Sequence, residues 1–118
     1  MNIIQDLIPV GRINRPGRFN PCEYITIHET GNTSRGAGAK NHASYLKSVN
    51  SKLSWHYTVD DTEIYQHLPD NEDAFHAGDG AGTGNRQSIG IEICVNSDGD
   101  FGRACENAAW LVRRLLEQ

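Results

Sequence analysis

The sequence predicts an α/β domain in which a mixed central β-sheet is flanked by helices. Three observations carry this. Two apolar segments, Tyr24-Ile25-Thr26-Ile27-His28 and Ser88-Ile89-Gly90-Ile91-Glu92-Ile93-Cys94, have the length and β-branched content of strands. Two further strand-like runs, 54–60 and 63–68, flank a polar turn at Asp61-Thr62 and read as a hairpin. Two stretches with helical spacing alternate with these strands, one near 37–48 and one after Asp100. The order β–α–β–β–β–α packs helices against a sheet.

Taken in order, residues 11–21 hold Gly11, Pro16, Gly17 and Pro21 and form an irregular lead-in. The first strand follows at 24–28. A loop from Gly31 to Gly38 offers Thr33 or Ser34 as a helix cap. The helix runs from about Ala37 to Ser48, with Ala39, His42, Ala43 and Leu46 on one face. In the hairpin, His67 alternates with Tyr65 and Glu63 on a solvent-facing side. A long loop rich in Asp, Asn and Gly covers 69–87. Strand 88–95 is the most hydrophobic and is expected at the centre of the sheet. Asp98-Gly99-Asp100 makes a turn, and Asp100 caps the last helix. That helix carries an apolar stripe of Ala104, Cys105, Ala108, Ala109, Val112, Leu115 and Leu116. There is no internal repeat or linker, so 1–118 reads as one domain.

Composition narrows the function classes. The 118 residues carry a net charge of -4 and show no basic stripe, which argues against nucleic acid and against attraction to an acidic membrane or wall. No segment reaches membrane-spanning length. The first residues lack the basic and long apolar regions of a signal peptide. Three cysteines without C-x-x-C spacing argue against a disulfide framework and fit synthesis in a reducing cytosol.

The chemistry sits at strand ends. Side chains alternate along a strand, so His28 faces away from Ile25 and Ile27, and Glu92 away from Ile89, Ile91 and Ile93. If the two strands pair over a common isoleucine core, His28 and Glu92 meet on the other side. A neutral imidazole beside a carboxylate suits a metal-bound water and its general base. A bland alternative for Glu92 is a salt bridge or a bond to a turn. His28-Glu29-Thr30-Gly31-Asn32 is not a metalloprotease helix, because Asn32 stands where the second histidine is needed. His76 lies among glycines that permit close approach of a ligand. His42 reads as a core histidine and Cys94 as a small buried filler.

These segments, together with Ser54-Trp55-His56-Tyr57-Thr58-Val59-Asp60-Asp61 and Phe75-His76-Ala77-Gly78-Asp79-Gly80, resemble the zinc-dependent N-acetylmuramoyl-L-alanine amidases of the type-2 group. The likeness is to catalytic domains of endolysins and prophage autolysins, and it runs from about Ile3 to the end. The resemblance implies a fold like that of peptidoglycan-recognition proteins. It also implies hydrolysis of the amide between N-acetylmuramic acid and L-alanine in bacterial peptidoglycan. It makes His28 a Zn2+ ligand and Glu92 the catalytic carboxylate, with His76, Trp55 and His56 lining a groove for glycan and stem peptide. Some relatives carry a catalytic tyrosine where Trp55 stands; an indole cannot serve as that acid, so the chemistry falls to Glu92. The family's two remaining zinc ligands follow its last helix, and no residue here matches them. The resemblance therefore implies a domain truncated after the last helix and lacking a competent zinc site, with a separate wall-binding domain downstream. It also implies synthesis in the cytoplasm and action on the wall after release. Two alternatives remain: a non-catalytic peptidoglycan-binding module of the same fold, and a cysteine hydrolase using Cys94 with His28 or His76.

Overall fold

The computed structural model describes residues 1–118. Its elements are β1 (Ile3–Gln5), β2 (Tyr24–Glu29), α1 (Ala39–Ser48), β3 (Tyr57–Val59), β4 (Ile64–Gln66), α2 (Thr83–Gln87), β5 (Ser88–Ile93) and α3 (Phe101–Leu116). The strands form one mixed sheet in the order β1-β4-β3-β5-β2. Only the β3–β4 hairpin is antiparallel; β1 with β4, β3 with β5, and β5 with β2 are parallel. β5 is hydrogen-bonded on both sides. That is why it tolerates an almost unbroken apolar run.

The strict alternation of β5 divides the sheet into two faces. Ile89, Ile91 and Ile93 join Tyr57, Val59 and Ile64 on one face and pack against Ala104, Ala108 and Leu111 of α3. The expected stripe on α3 is thus shifted: Leu111 is fully buried, while Ala109 and Leu116 are exposed. Asp100 caps the helix as its residue type suggests, accepting from the Arg103 amide at 3.1 Å. Ile25 packs against this core, but Ile27 is half exposed, because β2 is an edge strand and α3 does not extend over it.

The opposite face carries α1 over β3 and β4, and α2 over β2 and β5. Ala39 and Ala43 of α1 pack on Tyr65. Beside them Ile8, Leu46, Trp55, Leu68 and Ala74 form a second core. This layer corrects the solvent-facing assignment of His67, which is fully buried with Nε2 2.6 Å from Thr58 Oγ1. It also corrects the helix cap. Neither Thr33 nor Ser34 caps α1; the Ala39 amide donates instead to Asp60 Oδ2, 2.9 Å away on the hairpin. Gly38 is the residue at this N-terminus, where a Cβ would stand 2.9 Å from the same carboxylate oxygen.

Two elements fall outside the sequence reading. β1 is three residues long, and its partner lies 61 residues away in register. α2 interrupts the long loop assigned to 69–87. It has no apolar periodicity, and the Asp79 carboxylate holds its start by accepting from the amides of Gly84 (2.7 Å) and Asn85 (3.1 Å).

Candidate active site

The parallel pairing of β2 with β5 sets His28 opposite Glu92, with Thr26 opposite Gly90 and Tyr24 opposite Ser88. Register partners on adjacent strands lie about 5 Å apart and project to the same side. His28 and Glu92 therefore share the face opposite α3. They line one cleft of about 600 Å³ with Thr30, Asn32, His42 and Trp55. The cleft opens at the carboxyl ends of a parallel pair, where open α/β sheets usually bind ligands.

Glu92 has no hydrogen-bond or salt-bridge partner in the protein, although most of its side chain is withdrawn from solvent. This removes the bland reading of a carboxylate held by a salt bridge or a turn. Desolvation raises its pKa to about 7. His28 is partly exposed, and desolvation lowers its pKa, so its imidazole is neutral at pH 7.

His76 reaches the same place from the loop before α2. Its Nδ1 lies 3.0 Å from His28 Nε2, with the rings edge to face at 5.2 Å. Burial, with the nearby His56 and His28, brings its pKa to about 4. Two devices hold it. The amides of His76 and Ala77 both donate to Asn85 Oδ1 at 2.8 Å. The ring also lies against Gly90, where a Cβ would stand 2.8 Å from its Cγ and Cδ2. A glycine inside an otherwise β-branched strand marks such a close approach. Gly90→Ala should displace the ring and cost about 1–3 kcal/mol of stability, as overpacking of a tight contact does. Thermal melting checks this, and an unchanged midpoint would contradict the stacking. A second hollow, lined by His76, Phe75, Arg18, Lys52 and Asn85, shares Leu53 with the first. The bonded pair His28–His76 joins the two.

The other two candidate residues behave differently. Trp55 forms the cleft floor. It is only 4 % exposed and its indole N–H donates to Thr58 Oγ1 at 2.7 Å, so it offers little free face for stacking on a sugar. His56 is fully buried and does not line the groove, a correction to its assignment as a substrate-binding residue. Its Nε2 donates to the Glu72 carbonyl at 2.6 Å and its Nδ1 accepts from the Gly90 amide at 3.0 Å, so both nitrogens serve the wall behind the site. Cys94 is buried and its thiol is pushed up to about 12, first by burial and then by nearby carboxylates. A thiol so rarely ionised is no nucleophile. Ser88, Thr26 and Asn85, which brace His76 directly or at one remove, carry no signal of their own in the sequence; Gly90 was the available signal.

These features define a class of α/β domain: a mixed sheet with a histidine and an unpartnered carboxyl group paired across parallel strands at an open cleft. The chain belongs to the N-acetylmuramoyl-L-alanine amidase family, whose pattern matches residues 18–118. It is 61 % identical over 118 residues to the N-acetylmuramoyl-L-alanine amidase XlyA of Bacillus subtilis, spanning all of this chain and 40 % of that protein. It is 56 % identical over 119 residues to CwlH of the same organism, again over the whole chain and 48 % of the relative. The chain thus spans less than half the length of these relatives. Among solved structures, the catalytic domain of XlyA superposes with a TM-score of 0.97 at 62 % identity, over 99 % of this chain and 76 % of that one. PlyL superposes with a TM-score of 0.89 at 34 % identity, over 99 % and 74 %.

Proposed function

We propose that these residues form the part of a zinc-dependent N-acetylmuramoyl-L-alanine amidase that supplies the general base and one metal ligand. The bond cleaved is the amide between the lactyl group of N-acetylmuramic acid and L-alanine in bacterial peptidoglycan. The observation that carries this reading is the register pair His28↔Glu92, with the carboxyl group unpartnered in the cleft. A module that only binds has no evident use for a desolvated carboxyl group without a partner.

The donor set fits zinc in part. His28 is a neutral imidazole at the cleft wall, the form that ligates metal. A hydrolytic zinc takes three protein ligands and a water, and no group of three His, Cys, Asp or Glu side chains within these residues is placed to hold a metal ion. The 118 residues alone should therefore retain less than one zinc per chain after dialysis. Metal analysis checks this, and one tightly held zinc per chain would reveal a donor set here. When bound, zinc lowers the pKa of its water to about 7 and polarises a carbonyl.

The chain's own residues supply the proton path. Glu92, unpartnered at the cleft, accepts a proton from the attacking water and returns it to the departing L-alanine amine. Trp55 gives the cleft an apolar floor. Thr30, Asn32 and Asn41 at its rim offer hydroxyl and amide groups to glycan and stem peptide. His76 closes the side toward the second hollow. The net charge of -4 gives no pull toward an acidic wall, so anchoring belongs to a region of the protein outside these residues. No helix is long and apolar enough to cross a membrane, and the three cysteines are free. Both facts suit synthesis in the cytosol and release onto the wall.

The test uses a completed domain, residues 1–118 joined to the quarter of the XlyA catalytic domain that this chain does not span. Incubated with purified peptidoglycan, it should release new L-alanine amino termini and stop on addition of a chelator. Release of reducing sugar without new amines, or activity indifferent to chelation, would reject the reading.

A further inference from the structure

We propose that His76 is a positioning residue that fixes the ring proton of His28 on Nε2 and leaves Nδ1 as the single free lone pair of that imidazole. The assignment begins at Ser88, whose hydroxyl has one proton. The Gly84 carbonyl oxygen lies 2.5 Å from Ser88 Oγ and can only accept, so that proton lies between them. Thr26 Oγ1 donates into the same Ser88 oxygen at 2.8 Å. His76 Nε2 stands 3.4 Å from Ser88 Oγ and beside the Gly84 carbonyl. Neither oxygen has a proton to offer it, so Nε2 carries the ring proton of His76, and its Nδ1 presents a lone pair.

That lone pair lies 3.0 Å from His28 Nε2. Two facing lone pairs at this distance repel, whereas an N–H···N bond fits it. His28 Nε2 is thus the donor. His28 Nδ1 makes no hydrogen bond within the protein. The chain of protons runs one way, from His28 through His76 and Ser88 to the Gly84 carbonyl. Its middle member cannot turn, because Gly90 seats the ring and Asn85 holds the main chain on either side of its peptide link.

The hydrogen-bond assignment stands on these contacts alone; its value to catalysis rests on the amidase reading. A ligand histidine binds a metal through a lone pair, and a partner on its other nitrogen fixes the tautomer and the ring orientation. Here that partner is a second neutral imidazole rather than the more usual carboxylate or carbonyl. The second imidazole brings no negative charge to the cleft beside Glu92.

The test is nitrogen-15 NMR of the imidazoles in the metal-free chain at neutral pH. Expected are a proton on His28 Nε2 that exchanges slowly with water and a scalar coupling across the bond to His76 Nδ1. His76→Phe keeps a ring over Gly90 but offers no acceptor. It should abolish the coupling and speed exchange of that proton about tenfold, the worth of one hydrogen bond. His76→Asn places an oxygen near the former Nδ1 and should restore the slow exchange, which a role limited to filling space would not do. A proton on His28 Nδ1, or slow exchange that survives His76→Phe, would overturn the proposal. Addition of zinc chloride to the metal-free form of the completed domain, residues 1–118 joined to the quarter of the XlyA catalytic domain that this chain does not span, separates it from the functional reading. A response at Nδ1 with the Nε2 proton retained supports both. Loss of the Nε2 proton to zinc overturns the proposal. A coupling that persists while zinc leaves His28 untouched upholds the proposal and counts against zinc ligation by this residue.

Discussion

Glu92→Gln in the completed domain should lower the rate of wall hydrolysis about 100-fold or more, the usual weight of a general base. The amide keeps the size and placement of the side chain but cannot take the proton. Stability of the metal-free 118-residue chain should move the other way, with a pH dependence that identifies the cause. The folded pKa of Glu92 is raised to about 7 by desolvation, above its ordinary value. A group raised in this way contributes most to stability below its unfolded pKa, and that contribution is lost as pH rises through about 7. Above pH 7 the native protein holds a desolvated charge that glutamine removes. Allowing for the partial exposure of Glu92, we expect a gain of about 1 kcal/mol at pH 8, or roughly 4 °C in melting temperature, and almost none near pH 4. Wall-clearing by the completed domain and melting of the metal-free 118-residue chain, each carrying Glu92→Gln, check the two halves. An unchanged rate would remove Glu92 from the chemistry, and a gain independent of pH would remove desolvation as the cause.

Asp73→Ala should cause the largest loss of stability. Asp73 is fully buried, and its two oxygens face three donors. Oδ1 accepts from the Arg18 amide at 3.0 Å, and Oδ2 lies 2.8 Å from Arg18 Nε and 3.4 Å from Arg86 Nε. Its own amide donates to the Arg18 carbonyl at 2.9 Å. This clamp ties the lead-in segment to α2 and anchors the loop that carries Phe75 and His76. Removing the carboxylate leaves two guanidinium groups partly buried without their partner, which costs about 3 kcal/mol, or roughly 12 °C. The exposed pair Arg113–Glu117 is the internal contrast. Its side chains are 83 % and 69 % exposed, and breaking it should shift melting immeasurably. Thermal denaturation of the two variants side by side is decisive: comparable small shifts would show that the Asp73 clamp carries no special weight.

Much of the candidate site's geometry was legible because alternation in two short strands is a strong signal. The isoleucines fix which face is buried, and a one-residue slip would have sent His28 or Glu92 to the wrong side. The parallel partnership and its register put both groups on the cleft face. The hairpin and the capped last helix followed from turn and cap chemistry local to the sequence. What escaped was non-local. β1 is too short to show a pattern, and its partner is distant in sequence. The cap of α1 comes from Asp60, 21 residues downstream of Ala39. His67 and His56 read as surface or groove groups because nothing near them in sequence reveals that Trp55 packs on the first and the loop at Glu72 bonds the second. His76 was visible as a candidate, but its bond to His28 depends on a ring seated on Gly90, a contact between segments 14 residues apart.

The most direct measurement is the titration of the Glu92 side-chain carboxyl carbon by carbon-13 NMR in the metal-free 118-residue chain. A carboxyl group standing unpartnered and desolvated beside His28 should titrate near 7. A midpoint at the ordinary glutamate value, near 4.3, would show a hydrated or paired carboxylate turned out of the cleft and would contradict the account.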